Sequence, residues 1–251
     1  MSEHTTERIV SFDGIGLAVH RLGEGRPVLL LHGLFSSAEM NWIRFGHAQR
    51  IADAGFEAIM PDLRAHGQSE APHDPLAYPH DVLVRDVLAL VEKLGLSDFD
   101  LGGFSLGART AARAVIEGVA PRRLVLAGMG LEGLTGWDRR AAFFIDAIDR
   151  FEEVGRGDPA FLAVSFMKRM KVDRVAARLL LQAVEDVEVG ELSGIHAETL
   201  IVSGEDDRDN GSPQALVDAL PNARFAEVPG AHMSSVTEPA LGEAIACFLA
   251  A

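Results

Sequence analysis

The residue best suited to chemistry in this chain is Ser105, which lies between two glycines in LGGFSLGAR, residues 101–109. The preceding FDLGGF is typical of a strand, and the following LGARTAARAVIEG is typical of a helix. Gly103 and Gly107 suit a tight strand-to-helix turn, because neighbours two positions from a strained serine must be small. We therefore predict a nucleophilic serine, with the N–H of Leu106 at the helix N-terminus donating to a developing oxyanion.

A serine hydroxyl needs a base, and His232 is the best placed of the nine histidines. It lies in VPGAHMSSVTEP, after the last predicted strand, and ligand sites in open parallel sheets gather at the carboxyl ends of strands. A carboxylate must orient the imidazole, and four candidates follow the strand-like ETLIVSG. These are Glu205, Asp206, Asp207 and Asp209. The residues alone leave open which of them serves.

Two other patterns could indicate a metal or a nucleotide, and neither outweighs this interpretation. His66, His73 and His80 recur at intervals of seven, but they flank the loop SEAPHDPLAYP rather than a helix, so we predict no metal site. GMGLEG, residues 128–133, matches the glycine pattern of dinucleotide sites, but it follows the sixth predicted strand and loop-like residues come next. We expect no cofactor.

The elements that must position these residues alternate along the chain. Eight short apolar segments separated by helical patterns predict an α/β protein, with a mostly parallel eight-stranded sheet flanked by helices. The first two segments indicate an antiparallel hairpin around Asp13-Gly14, at a sheet edge. Strand signals stop over residues 131–190, a length that exceeds an ordinary crossover. We predict one domain, 1–251, with a core of residues 1–130 and 191–251 and a helical cap insertion of residues 131–190.

Composition limits the partners and the compartment. The formal net charge of −14 and the absence of basic runs with interleaved aromatic residues argue against nucleic acid. A single cysteine, Cys247, permits neither an intramolecular disulfide nor a zinc motif. MSEHTTERIV has no apolar leader, and no later segment approaches the roughly 18 apolar residues of a membrane span. We expect a cytoplasmic protein that does not bind membranes.

Five segments in order resemble the α/β-hydrolase superfamily across nearly the whole chain. They are LLLHGLFSS (29–37), MPDLRAHGQSE (60–70), the Ser105 turn, IVSGEDD (201–207) and VPGAHM (228–233). Serine, aspartate and histidine follow one another in that family's order. The resemblance implies the α/β-hydrolase fold and selects Asp207 as the acid, because the family's acid stands three positions after the glycine. It also implies Leu34 as the second oxyanion N–H donor, with Phe35 as the fallback.

One residue departs from the family pattern. Such proteins usually have Arg-Gly-His-Gly in the loop after the fourth strand, whereas this chain has Arg64-Ala65-His66-Gly67. If the backbone at position 65 requires a positive φ, alanine is strained there.

The resemblance implies a serine hydrolase that cleaves a small to medium, largely apolar carboxylic ester through an acyl-enzyme. We predict that its pocket is lined by apolar residues, namely Phe35, Phe143, Phe144 and Met167. The same triad could serve a carbon–carbon bond hydrolase acting on vinylogous diketones, a cofactor-free dioxygenase, or a ligand receptor without turnover. Epoxide hydrolases and haloalkane dehalogenases of this outline have an aspartate at the turn, so Ser105 disfavours those activities.

The expected partner is therefore a small-molecule ester or acyl substrate. KRMKVDRVAAR, residues 168–178, carries five basic residues against one acidic residue and could also guide an acyl carrier. A solvated helix face accounts for the same pattern. The sequence leaves the oligomeric state open.

Overall fold

The computed structural model describes residues 4–251, so the first three residues of the polar N-terminal segment lie outside it. In this part of the chain eight strands form one sheet, in the order β1-β2-β4-β3-β5-β6-β7-β8. The strands are β1 (Thr5–Val10), β2 (Gly16–Leu22), β3 (Arg26–Leu31), β4 (Phe56–Pro61), β5 (Asp100–Phe104), β6 (Arg123–Ala127), β7 (Glu198–Gly204) and β8 (Ala223–Val228). All eight predicted strands are confirmed.

The sheet is parallel except at one edge. β1 and β2 form an antiparallel hairpin, and β2 is also antiparallel to β4. Gly14 in the hairpin turn has φ 92°, a conformation that glycine adopts without steric cost. Every other neighbouring pair is parallel. The carboxyl ends of β3 to β8 therefore meet at one edge of the sheet, where the predicted site lies.

Nine α-helices accompany the sheet in the described residues. They are α1 (His47–Asp53), α2 (Val82–Lys93), α3 (Leu106–Ile116), α4 (Leu131–Thr135), α5 (Trp137–Asp149), α6 (Phe161–Met170), α7 (Arg174–Ala183), α8 (Pro213–Ala219) and α9 (Pro239–Ala250). None of these helices is long and apolar enough to cross a bilayer.

Helices cover both faces of the central strands. Along β3, Val28 and Leu30 pack in the cluster that includes residues of α1 and α9, whereas Leu29 and Leu31 pack in the cluster that includes residues of α2 and α3. This alternation follows from the two-residue side-chain period of a strand. Because both faces are covered, all four side chains are fully buried. The central strands that end at the predicted site are thus packed between two layers of helices.

Four helices, α4 to α7, occupy the predicted cap segment between β6 and β7. Helix α4 begins directly after Gly130 and includes Gly133, the third glycine of GMGLEG, so our expectation of further loop there is wrong. A Cβ on Gly130 would lie 2.5 Å from the carbonyl carbon of Gly211. Gly130 therefore permits a close backbone approach between this entry to the cap segment and the loop after β7.

Candidate active site at the carboxyl edge of the sheet

Ser105 occupies the turn between β5 and α3 with a strained backbone, φ 53° and ψ −113°. Glycine is required at positions 103 and 107 because a side chain there would collide with nearby backbone atoms. A Cβ on Gly103 would lie 2.2 Å from the carbonyl carbon of Gly107, and one on Gly107 would lie 2.2 Å from the carbonyl oxygen of Leu31. The Ser105 N–H donates to the carbonyl of Ala127 on the adjacent strand. These contacts fix the hydroxyl above the end of the sheet.

The three side chains predicted for catalysis form one hydrogen-bonded row. Nε2 of His232 lies 3.1 Å from Oγ of Ser105, and Nδ1 of His232 lies 2.8 Å from Oδ2 of Asp207. The three residues come from the turn after β5, the loop after β7 and the loop after β8. Each is between 6% and 8% exposed, so the row is sheltered but reachable. The arrangement can move a proton from the hydroxyl to an imidazole that a carboxylate orients.

Asp207 is held in its ionised form. Burial opposes ionisation, but the hydrogen bond and charge of His232, the N–H of Asp209 and the charge of Arg140 together keep the pKa of the Asp207 carboxyl below its ordinary value. The Asp209 N–H donates to Oδ1 of Asp207 at 3.0 Å. Asp206, by contrast, is exposed. The structure thus brings Asp207, and not Asp206, to the imidazole.

Two backbone N–H groups border the same cavity as Ser105. Leu34 and Leu106 both line it, and within the described residues neither N–H has a hydrogen-bond partner. The fallback donor, Phe35, is engaged elsewhere, because its N–H donates to Nε2 of His66 at 2.9 Å. Phe35 itself has φ 59°, so this hydrogen bond holds a strained turn. Leu34 is the better placed of the two.

Two buried histidines fix the loop that carries Leu34. Nε2 of His32 accepts from the N–H of Leu63, and Nε2 of His66 accepts from that of Phe35. A backbone N–H can only donate, so each ring carries its proton on Nδ1 and is neutral. Burial accordingly lowers the pKa of His32 and lowers that of His66 to about 3. Neither contact is recognisable from the sequence, because each joins loops that are 31 positions apart.

Ala65 has φ 65°, so the strained conformation that we anticipated for this position is present. Two hydrogen bonds flank it. The Ala65 N–H donates to the carbonyl of Glu70, and Nδ1 of His66 donates to the carbonyl of Arg64 at 2.9 Å. The loop therefore keeps its shape without the usual glycine because its neighbours are held on both sides.

The neutral histidines predict acid sensitivity. Between pH 6.5 and pH 3 the unfolded chain binds a proton on His66 that the folded chain excludes, so the free energy of unfolding falls as the pH is lowered. The expected slope from His66 is on the order of 1 kcal/mol per pH unit. Urea unfolding at pH 7, 6 and 5 measures it.

In this experiment His66→Gln keeps an acceptor for the Phe35 N–H. Because the variant lacks one titrating group, its free energy of unfolding should fall less steeply with decreasing pH, by the equivalent of about one bound proton. His80→Gln is the control, because His80 is 87% exposed. Equal slopes for the His66→Gln and unsubstituted proteins would contradict this account of the loop.

Of the four residues predicted for the pocket, Phe144 is the one that lines the cavity at Ser105. The cavity at Ser105 has about 250 Å³ of empty space continuous with solvent, and Phe144 lines it. Phe35, Phe143 and Met167 do not. Met167 is 1% exposed because α6 turns it into the core, Phe143 is 39% exposed on the outer side of α5, and Phe35 lies behind Phe144, with ring centroids 5.5 Å apart.

Several lining residues escaped the sequence analysis. Besides Leu34, Ser105, Leu106 and Phe144, the cavity is lined by Arg109, Met129, Gly133, Trp137, Arg140 and Asn210. Trp137, Arg140 and Phe144 lie at helical spacing on one face of α5, and this spacing was the available signal. Two arginines border a cavity that we expected to be apolar.

One compact group of potential metal ligands occurs among residues 4–251. Asp207, Asp209 and His232 each place a ligand atom within 4.8 Å of the others. Both ring nitrogens of His232 are already engaged, one with Asp207 and the other with Ser105. Two of these three side chains, Asp207 and His232, therefore belong to the hydrogen-bonded row with Ser105.

Comparison with known proteins points to the α/β-hydrolase fold. A family model described as alpha/beta hydrolase fold matches residues 26–124. Epoxide hydrolase 2 of Siraitia grosvenorii is 36% identical over 110 residues, 43% of this chain and 33% of that protein. N-formylmaleamate deformylase of Pseudomonas putida is 31% identical over 140 residues, 53% of this chain and 50% of that protein. The chain thus spans a third to a half of these curated relatives.

Solved structures match over the whole fold. An esterase of Exiguobacterium antarcticum superposes with a TM-score of 0.81 at 20% identity, covering 98% of this chain and 100% of that one. The 2-hydroxy-6-oxo-6-phenylhexa-2,4-dienoate hydrolase of Rhodococcus superposes with a TM-score of 0.75 at 20% identity, covering 100% of both chains. With this sheet order and these structural matches, the chain has the α/β-hydrolase fold, and its residues 26–124 match the model of that family.

Proposed function

We propose that the protein is a serine hydrolase that cleaves a small to medium, largely apolar carboxylic ester through an acyl-enzyme. The observation that carries the proposal is the row of Ser105, His232 and Asp207, at 3.1 Å and 2.8 Å, beside the unengaged N–H groups of Leu34 and Leu106. A relative named as a deformylase supports hydrolytic removal of an acyl group.

The reaction runs in two halves. Ser105 Oγ attacks the ester carbonyl while Nε2 of His232 takes its proton, and the Leu34 and Leu106 N–H groups donate to the oxyanion. His232 then protonates the departing alcohol, which leaves the acyl group on Ser105. Water enters, loses a proton to His232 and attacks the acyl carbonyl, and Ser105 regains its proton as the acid departs. Asp207 stabilises the imidazolium in both halves.

Serine at the turn argues against epoxide opening, although several curated relatives carry that name. A carboxylate that opens an epoxide forms an ester, which water can cleave. A serine would form an alkyl ether, which this row of side chains has no means to hydrolyse. Acyl transfer returns the serine hydroxyl unchanged.

The partner is best described as a small molecule rather than an acyl carrier. In the basic segment, Arg178 pairs with Asp149 at 3.0 Å, and Arg174 pairs with Glu152 at 3.4 Å. Two of the five basic residues of this segment are thus already paired with acidic residues of the same chain.

A panel of p-nitrophenyl esters tests the proposed substrate size. The cavity at Ser105 is small, with Met129, Trp137 and Phe144 on its wall. We expect kcat/KM to be highest for acyl chains of roughly two to six carbons and to fall for longer ones. Absence of ester turnover, with consumption of a vinylogous diketone instead, would replace the proposal with carbon–carbon bond cleavage.

A further inference from the structure

The cavity at Ser105 contains a guanidinium group that lacks a carboxylate partner. Nη1 of Arg140 donates to the backbone carbonyl of Asp209 at 2.6 Å. Within the described chain it forms no ion pair within 4.0 Å, although it lines the same cavity as Ser105. The second arginine there differs, because Arg109 donates to three backbone carbonyls and pairs with Asp186 at 2.9 Å.

Aromatic packing holds Arg140 in place. Its guanidinium carbon lies 5.8 Å from the centroid of the Phe144 ring, one turn further along α5. Phe144 is in turn wedged between Phe35 and Phe143, with ring centroids 5.5 Å and 5.2 Å away. The Arg140 guanidinium thus packs against the Phe144 ring, which is itself packed against two other rings. Because this packing removes part of the surrounding water, an incoming anion interacts more strongly with the guanidinium.

The surroundings leave the charge of Arg140 incompletely compensated. Burial lowers the pKa of Arg140, and the charges of Asp209 and Asp207 oppose that shift without a direct contact. Guanidinium remains charged at neutral pH and presents donors in a planar fork that matches a carboxylate. A protein with a net charge of −14 repels anions at long range, so a local cation is required if the substrate is anionic.

We propose that Arg140 binds a carboxylate on the substrate, remote from the carbonyl that Ser105 attacks. The substrate class is then an ester with one free carboxylate, borne by either the acyl or the alcohol part. This inference rests on the proposed hydrolysis at Ser105 and narrows it. Arg140 acts as a specificity-determining residue, and the remaining apolar lining contacts the rest of the substrate.

Two pairs of nearly isosteric esters test it. The acyl pair is monomethyl succinate and methyl 4-methylpentanoate, and the alcohol pair is 4-acetoxybenzoate and 4-isopropylphenyl acetate. For one pair, we expect Arg140→Gln to lower kcat/KM for the anionic ester by about 10-fold or more. Its neutral partner should change less than about 3-fold. Arg140→Lys should retain part of the preference, because it keeps the charge but loses the fork.

Arg139→Gln is the matched control, because Arg139 is the exposed neighbour on the same helix and its loss changes the net charge equally. In both pairs, Arg139→Gln should leave the ratio of kcat/KM for the anionic ester to kcat/KM for the neutral ester unchanged. An equal loss on anionic and neutral esters in Arg140→Gln, or an equal effect of Arg139→Gln, would overturn the role of Arg140.

Calorimetric binding of monomethyl succinate and of 4-acetoxybenzoate separates this inference from the proposed function. If the unsubstituted protein hydrolyses no ester in either pair, the function of Ser105 is wrong, but binding still tests Arg140. Affinity for one compound that falls at least about 10-fold in Arg140→Gln would support the anion site. If Arg140→Gln bound each compound as tightly as the unsubstituted protein does, the anion site would be ruled out.

Discussion

Ser105→Ala is expected to lower kcat/KM for the best ester by at least about 10⁴-fold. The substitution removes the atom that forms the acyl-enzyme and leaves the oxyanion donors and the pocket in place. Alanine is smaller than serine, so the turn held by Gly103 and Gly107 should retain its shape. Steady-state kinetics on a p-nitrophenyl ester measure the loss, with circular dichroism to establish that the variant is folded.

Ser193→Ala provides the control for this experiment, because Ser193 is exposed and its hydroxyl donates only to the carbonyl of Gly190. It should retain full activity. If Ser105→Ala kept activity within about 10-fold of the unsubstituted protein, a group other than Ser105 would have to supply the nucleophile.

Asp207→Asn is expected to lower kcat by about 10⁴-fold with little change in stability. The asparagine amide can donate to Nδ1 of His232, which then carries its proton on Nε2 and cannot accept the proton of Ser105. Asp207 thus acts by holding His232 in the tautomer whose Nε2 can accept the proton of Ser105. Measuring kcat at pH 7 and pH 9 tests this explanation. We expect kcat of Asp207→Asn to stay low at both values, because raising the pH does not restore the tautomer that accepts the proton of Ser105.

The neighbouring carboxylates give the controls for the acid. Asp206→Asn should be almost neutral, since Asp206 is exposed and its N–H contacts only the Gly230 carbonyl. Asp209→Asn should cost less than about 10-fold, because Asp209 reaches Asp207 through its backbone N–H, which asparagine retains. A larger loss in either variant than in Asp207→Asn would transfer the orienting role.

The sequence predicts the sheet and the meeting of Ser105 with His232 well, because both depend on local patterns. β3 and β5 are recognisable as central strands from their continuous apolar residues, and Asp13-Gly14 identifies the edge hairpin. Ser105 and His232 each follow a strand that ends at the same edge, so topology alone brings them near each other. The choice of Asp207 required the resemblance, because four carboxylates follow β7.

The pocket was harder to predict because it depends on how the cap helices face the sheet. Met167 and Phe143 look like pocket residues in the sequence, but the packing of α5 and α6 decides which side each presents. Arg140 has no apolar character to mark it as inward-facing. His66 has no local pattern that indicates its role, because its contact with Phe35 joins two loops that are distant in the sequence.

The most direct test of the central claim is the position of a trapped covalent adduct. The protein is treated with a fluorophosphonate and digested, and mass spectrometry locates the label. We predict one adduct per chain, on Ser105, which is lost in Ser105→Ala and forms much more slowly in His232→Ala. An ester-hydrolysing protein that carries the label on another residue, or that accepts none, would contradict the account.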